Sequence, residues 1–244
     1  MSSTPVVLIT GALAGIGRAT ALAFARQGAR LVVSGRDADA GATLRHELEQ
    51  LGVEAEFVRA DVQALVDRAV ARFGRLDVAV NNAGTEGQPG PLTEQSAESY
   101  AATFDTNVLG TVLSLKHELR AMLSQGGGGS IVNLSSTMGH RGNANAGLYV
   151  ASKHAVEGLT RTAALEGAPA GVRVNAVAPG PVDTAMLGRF AGGQERKAGL
   201  AAGVPLGRLG RVDDIAEVIV FLASAQAGFL TGQVIDVNGG KTAS

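Results

Sequence analysis

Thr10-Gly11-Ala12-Leu13-Ala14-Gly15-Ile16-Gly17 decides how this chain folds. The residues ahead of it, 6–10, are apolar or β-branched and read as a strand; the Ala- and Leu-rich stretch 15–27 reads as a helix. Each glycine in between has a physical use. Gly11 permits a sharp turn, Gly15 lets backbone approach a diphosphate, and Gly17 lets the helix pack close to the sheet. The helix amino terminus adds N–H donors and a partial positive charge. A Gly-rich turn alone is an ordinary tight turn. Between a strand and a helix it predicts dinucleotide binding.

Working outward, the same alternation continues to the end of the chain. Residues 30–34, 55–60, 76–81, 130–135, 172–177 and 233–237 read as further strands, and 37–51, 64–73, 97–124, 149–166 and 213–223 as helices. The strands are apolar throughout rather than alternating, which requires cover on both faces and so predicts a parallel sheet between two helical layers. The glycine run 126–129 falls between a helix and a strand of one continuous pattern and reads as a loop, so residues 1–244 are taken as one domain.

Composition narrows the function. With 21 basic and 22 acidic side chains there is no field to attract nucleic acid or an anionic membrane. The absence of Cys excludes disulfides and thiolate metal sites, and the four His have no ligand spacing, so no metal is expected. Residues 1–5 are short and polar, neither signal peptide nor anchor. The expectation is a soluble, cytoplasmic protein with a small-molecule partner.

A second constellation supplies chemistry. Tyr149 and Lys153 lie four residues apart, hence on one helical face, with Ser136 upstream. A hydride arriving at a carbonyl leaves oxyanion charge, which needs a proton donor within hydrogen-bond reach. Tyr149 suits that role if the Lys153 ammonium and an oxidised nicotinamide lower its pKa from about 10. Singly, each residue has an ordinary reading: a packing tyrosine, a solvated lysine, a strand-end serine.

Thr10-Gly11-x-x-x-Gly15-Ile16-Gly17, Asn81-Asn82-Ala83-Gly84, Asn107, Ser136, Tyr149-x-x-x-Lys153 and Pro179-Gly180 together resemble the classical short-chain dehydrogenases/reductases, almost end to end. The resemblance implies a single-domain Rossmann-type, doubly wound fold of about seven parallel strands that binds a nicotinamide cofactor and interconverts an alcohol and a carbonyl. It implies catalytic roles for Asn107, Ser136, Tyr149 and Lys153, with Lys153 also on the ribose hydroxyls and Asn107 anchoring a water. It implies cofactor contacts by Gly11, Leu13, Ala14, Gly15, Ile16 and Gly17, by Asp61 and Val62 beside the adenine, by Asn82, Ala83 and Gly84 along the ribose, and by Pro179, Gly180, Val182 and Thr184 at the carboxamide. Relatives of this kind are homotetramers, and the apolar Val218, Ile219 and Phe221 fit a covered helix.

Cofactor choice turns on residues 33–37. In the family register the discriminating position is Gly35, which leaves Arg36, helped by Ser34, to pair with a 2′-phosphate; Asp37 is the rival, as an acceptor for a 2′-OH. NADP(H) is therefore favoured, with NAD(H) the alternative. One departure stands out. After Asp61-Val62-Gln63 the next helix begins almost at once, where relatives carry about six more residues.

Residues 137–147 and the segment 185–205 are rich in Gly and Ala and read as a mobile substrate cover. Met138, His140 and Met186 are candidate pocket residues, with Arg141 beside them. The reading is a reductase of ketones and aldehydes, or dehydrogenase of secondary alcohols. A sugar or polyol dehydrogenase is the enzymatic rival, and a catalytically idle NADP-binding sensor the rival of another class.

Overall fold

In the computed structural model, which describes residues 4–59 and 62–243, strand β1 (Val6–Thr10) is buried along its whole length. Val7 and Ile9 enter one apolar core and Val6 and Leu8 the other. The remaining strands are β2 (Arg30–Gly35), β3 (Ala55–Arg59), β4 (Val78–Asn81), β5 (Gly129–Leu134), β6 (Val172–Pro179) and β7 (Val234–Val237). They form one seven-stranded sheet in the order β3-β2-β1-β4-β5-β6-β7, every pair parallel.

The helices are α1 (Gly15–Arg26), α2 (Ala38–Gln50), α3 (Val62–Phe73), α4 (Ala97–Phe104), α5 (Gly110–Gln125), α6 (Gly147–Gly167), α7 (Ala185–Ala191), α8 (Gln194–Ala202) and α9 (Val212–Ala223). Phe24 of α1, Leu44 of α2 and Ile215 and Ile219 of α9 cover one face. Leu65 of α3, Leu115 of α5 and Ala163 of α6 cover the other. Each of these buried side chains contributes roughly 1.5–3 kcal/mol, Ala less, so the two layers rather than local propensity hold the strands in register. The order reverses between β1 and β4. Chain leaving their carboxyl ends diverges to opposite faces, which opens a crevice there.

Three expectations are corrected. The helix read over 97–124 is broken by a π turn, Asp105–Leu109, between α4 and α5. The segment 185–205, for which the pattern predicts no helix, holds two: Thr184 caps α7 by accepting from the Leu187 N–H at 3.2 Å, and Gly192 at φ +70° ends it before α8. Helix α3 begins at Val62 rather than at Ala64. Asp61 lies outside the described residues. Among the described residues no helix is long and apolar enough to cross a membrane, and no group of His, Asp or Glu could hold a metal ion.

Candidate active site

The glycine turn is shaped by what presses on it. Gly11 sits at φ +64°, and a Cβ there would stand 2.9 Å from Ala83 Cα; one on Gly17 would stand 2.4 Å from Asn82 Nδ2. The Asn82 amide donates to the Thr10 and Gly11 carbonyls at 3.1 and 2.9 Å, and the Thr10 hydroxyl accepts from the N–H groups of Asn82 and Ala83. The side chain of Asn82 thus ties the loop after β4 to the loop after β1. Ala14, the N-cap of α1, offers no side-chain cap and the first turn holds no acid. The amide donors there are left for an anion, so the residues fit the diphosphate of a dinucleotide.

At the far end of β2, Ser34 is buried and Arg36 exposed, with Arg59 Nε donating to the Arg36 carbonyl at 3.1 Å. Two guanidinium-bearing residues therefore share this corner. The Asp37 carboxylate accepts from the N–H groups of Asp39 and Ala40 as the cap of α2. Gly35 lies over Leu13, whose Cδ1 a Cβ would meet at 2.3 Å.

The chemistry-bearing side chains meet at the carboxyl ends of β4 and β5. Tyr149 and Lys153 stand one turn apart on α6, with the Lys153 Nζ 5.7 Å from the phenol ring centroid. The ammonium is buried and donates to the Leu134 carbonyl at 2.7 Å; burial pushes its pKa down to about 8. Tyr149 is partly exposed and lines the cavity described below. Burial pushes its pKa up to about 12, against the Ser136 hydrogen bond that lowers it and with the Glu86 carboxylate that raises it further. The expected lowering by Lys153 is therefore not a property of the protein alone: desolvation outweighs the neighbouring charge.

Asn107 projects from the π turn, a feature that recurs at functional sites. Its Oδ1 accepts from the Thr85 N–H at 2.8 Å, and its Nδ2 donates to the Thr85 carbonyl and to the Ser152 hydroxyl. Gly84 closes the arrangement: a Cβ there would stand 3.3 Å from Asn107 Oδ1 and 3.6 Å from Lys153 Nζ. The Asn107 amide is spent on positioning the Thr85 backbone and the helix that carries Lys153.

Beside Tyr149 a cavity of about 240 Å³ opens. Ile16, Asn82, Gly84, Pro179, Gly180, Val182 and Thr184 line the part nearest the glycine turn, and Ser136, Met138 and Met186 line it elsewhere. Its other walls are largely apolar, from Leu187, Phe190 and Leu200 of the two covering helices. His140 is not part of this wall. Its ring is held between carboxylates, Nδ1 at 3.0 Å from buried Glu157 and Nε2 at 3.3 Å from Asp236. Arg141 donates to the Lys241 carbonyl.

Three charged residues at the cavity escaped sequence reasoning. Glu86 and Lys241 line it, and Arg189 of α7 binds Glu86 from 103 residues away. Burial disfavours the Glu86 carboxylate, but the Arg189 hydrogen bonds hold it below the usual range. No local signal marks such a pair.

A family model described as Enoyl-(Acyl carrier protein) reductase matches residues 11–242. The chain is 43% identical to cis-4-hydroxycyclohexanecarboxylate dehydrogenase of Sinomonas cyclohexanicum over 98% of this chain and 96% of that one. It is 40% identical to cyclohexanol dehydrogenase of Acinetobacter sp. (strain SE19), over 97% and 94%. The solved structure of levodione reductase superimposes with a TM-score of 0.94 at 33% identity, covering 98% of each chain. The chain belongs to the classical short-chain dehydrogenase/reductase family. As a member of that family it is an NAD(P)-dependent oxidoreductase acting between alcohols and carbonyls.

Proposed function

We propose that this protein interconverts cyclic secondary alcohols and their ketones with NADP(H), using Tyr149 as general acid and base. One observation carries the reading: Tyr149, Ser136 and Lys153 converge on a cavity whose remaining walls are mostly hydrocarbon. Such walls suit a carbocycle. A polyol would have to satisfy several hydroxyls from the few polar groups there, Thr137, Asn143, Glu86 and Lys241, at a loss of about 1–3 kcal/mol for each group buried unsatisfied. Relatives named for cyclohexanol and for a hydroxycyclohexane acid support the same class.

A bound nicotinamide supplies the hydride donor or acceptor and, when oxidised, a positive charge. The protein's part is positioning and proton transfer. Ser136 hydrogen-bonds the reacting oxygen, and Tyr149 gives a proton to it during reduction or takes one during oxidation. Lys153, fixed by the Leu134 carbonyl, holds a positive charge beside the phenol ring. Asn107 keeps α6 and the loop at Thr85 in register. For the cofactor, Arg36 and Arg59 favour a 2′-phosphate, and Asp37 is engaged in capping. Exposed Leu109, Val112 and Leu113 around the start of α5 and Phe221 on α9 favour a homotetramer.

The test follows NADPH and NADH absorbance with cyclohexanol, cyclohexanone and sorbitol. Turnover of the cyclic pair with NADP(H), well above that of sorbitol, is the expected result. Turnover confined to sorbitol would overturn it.

A further inference from the structure

Lys241 is the second lysine of the active-site cavity, and the proton-transfer set makes no use of it. It comes from the turn after β7, its N–H donates to the Asn238 carbonyl and its own carbonyl accepts from Arg141 Nη1 at 3.0 Å. The backbone is thereby fixed to the loop that follows Ser136. The side chain runs toward the end of α8, where its Nζ lies 3.7 Å from where a Cβ on Gly203 would stand. The ammonium thus lies beside the end of one of the two covering helices.

The surroundings of this ammonium lack an anion. Lys241 is half-buried, and among the described residues it forms no ion pair. The acid that lines the cavity, Glu86, is held by Arg189 in two hydrogen bonds. Leu200 lines the cavity too, and the same point at Gly203 lies 3.6 and 3.7 Å from the Gly199 and Leu200 carbonyl oxygens, dipoles that stop short of a full counter-charge. A cation drawn partly out of water beside apolar surface is costly unless a counter-ion meets it.

We infer that Lys241 is an anion subsite of the active cavity, and that the preferred substrate carries a carboxylate on the opposite side of its ring from the reacting hydroxyl. The inference rests on the cyclic-alcohol reading and sharpens it. Beyond Lys153, which is taken by the Leu134 carbonyl, no other basic side chain lines the cavity among the described residues. One compact ammonium matches a singly charged carboxylate. A phosphate, with its second charge and extra acceptors, calls for the forked donors of arginine.

The experiment compares 4-hydroxycyclohexanecarboxylate with its methyl ester, which keeps the ring and hydroxyl and removes the charge. In the unaltered enzyme the acid has the higher kcat/KM, by about ten- to hundredfold, chiefly through KM. Lys241→Met collapses that acid-to-ester ratio toward one, Lys241→Arg retains it within a few fold, and raising the salt concentration shrinks it. An acid no better than its ester, or a ratio that survives Lys241→Met, overturns the subsite while cyclohexanol turnover leaves the cyclic-alcohol reading standing. If cyclohexanol, the acid and the ester are all refused, both fall together.

Discussion

Arg189 grips the Glu86 carboxylate with two donors, Nε at 2.6 Å and Nη2 at 3.2 Å, and so fastens helix α7 to the loop that follows β4. Glu86 lines the cavity on the side of this pair. Exposed ion pairs contribute little, but here the Glu86 side chain is only 11% exposed while Arg189 is 62% exposed, so the carboxylate loses most when the pair is broken. Arg189→Met should raise the alcohol KM about three- to tenfold, with a smaller change in kcat, because closure is weakened and the proton-transfer groups are untouched. Steady-state kinetics with a cyclic alcohol decide it; an unchanged KM means the apolar contacts of Leu187 and Phe190 hold the cover alone.

Tyr149→Phe keeps the ring against Lys153 and removes the proton. Turnover should fall by about 10²- to 10⁴-fold, with cofactor affinity within a few fold of the unaltered protein. A variant retaining a tenth of the original rate would remove Tyr149 from the mechanism.

The pH dependence follows from the same phenol. The protein alone holds its pKa up at about 12, chiefly by burial, so the phenol is protonated and ready for reduction at neutral pH. Oxidation needs the phenolate. Its kcat/KM should rise as pH increases from about 7 to about 10, while that of reduction stays nearly level below the pKa. Profiles in both directions check the sign, and a rise in reduction with pH would contradict it.

At the adenosine end, Arg36→Ala should weaken NADPH by about 1.5–3 kcal/mol and leave NADH within a few fold. Adding an acid at Gly35 is not a simple swap, because its Cβ would stand 2.3 Å from Leu13 Cδ1. The double variant Leu13→Ala, Gly35→Asp makes room, and it should move preference toward NADH by repelling the phosphate and accepting from the 2′-OH. The ratio of catalytic efficiencies with the two cofactors is the measurement. Equal losses for both cofactors in Arg36→Ala would reassign the discrimination to another residue.

Glu118 is fully buried on α5, accepts from Asn81 Nδ2 at 2.9 Å, and leaves its Oε1 and the Asn81 Oδ1 without partners. Burial pushes its pKa up to about 7, against the Asn81 hydrogen bond. The folded state therefore binds a proton that the unfolded chain releases near 4.5. Its contribution is complete below that pH and is lost as pH rises toward 7, by on the order of 2–3 kcal/mol. Glu118→Gln, neutral and able to donate to Asn81, should flatten this decline. Denaturant unfolding of both proteins at pH 5 and pH 8 tests it, and parallel pH dependences would place the titrating group elsewhere.

The strands were legible because burial on both faces demands apolar residues, as along β1. The proton-transfer set was legible because Tyr149 and Lys153 share one helical turn. The break at Asp105–Leu109 was not, since the π turn is held by bonds from Asn107 to Thr85 and Ser152, which helical periodicity does not encode. Helices α7 and α8 escaped because glycine and alanine give a weak apolar stripe, although Thr184 three residues before Leu187 is a cap signal. The upward shift of Tyr149 in the protein alone was illegible for a related reason: the neighbouring charge is visible in the spacing, but the desolvation is not.

The turn at 105–109 also makes the site depend on a count of residues. A π turn holds one residue more than the helix around it needs, so deleting one there would let α4 and α5 run on as a single rod, with a relative twist of about 100°. Sheet and both cores would keep their residues, yet Asn107 would leave Thr85 and Ser152. Length, not side-chain identity, sets the alignment at that point: every substitution at 105, 106, 108 or 109 preserves the count, whereas a single deleted codon would disarm the enzyme without unfolding it.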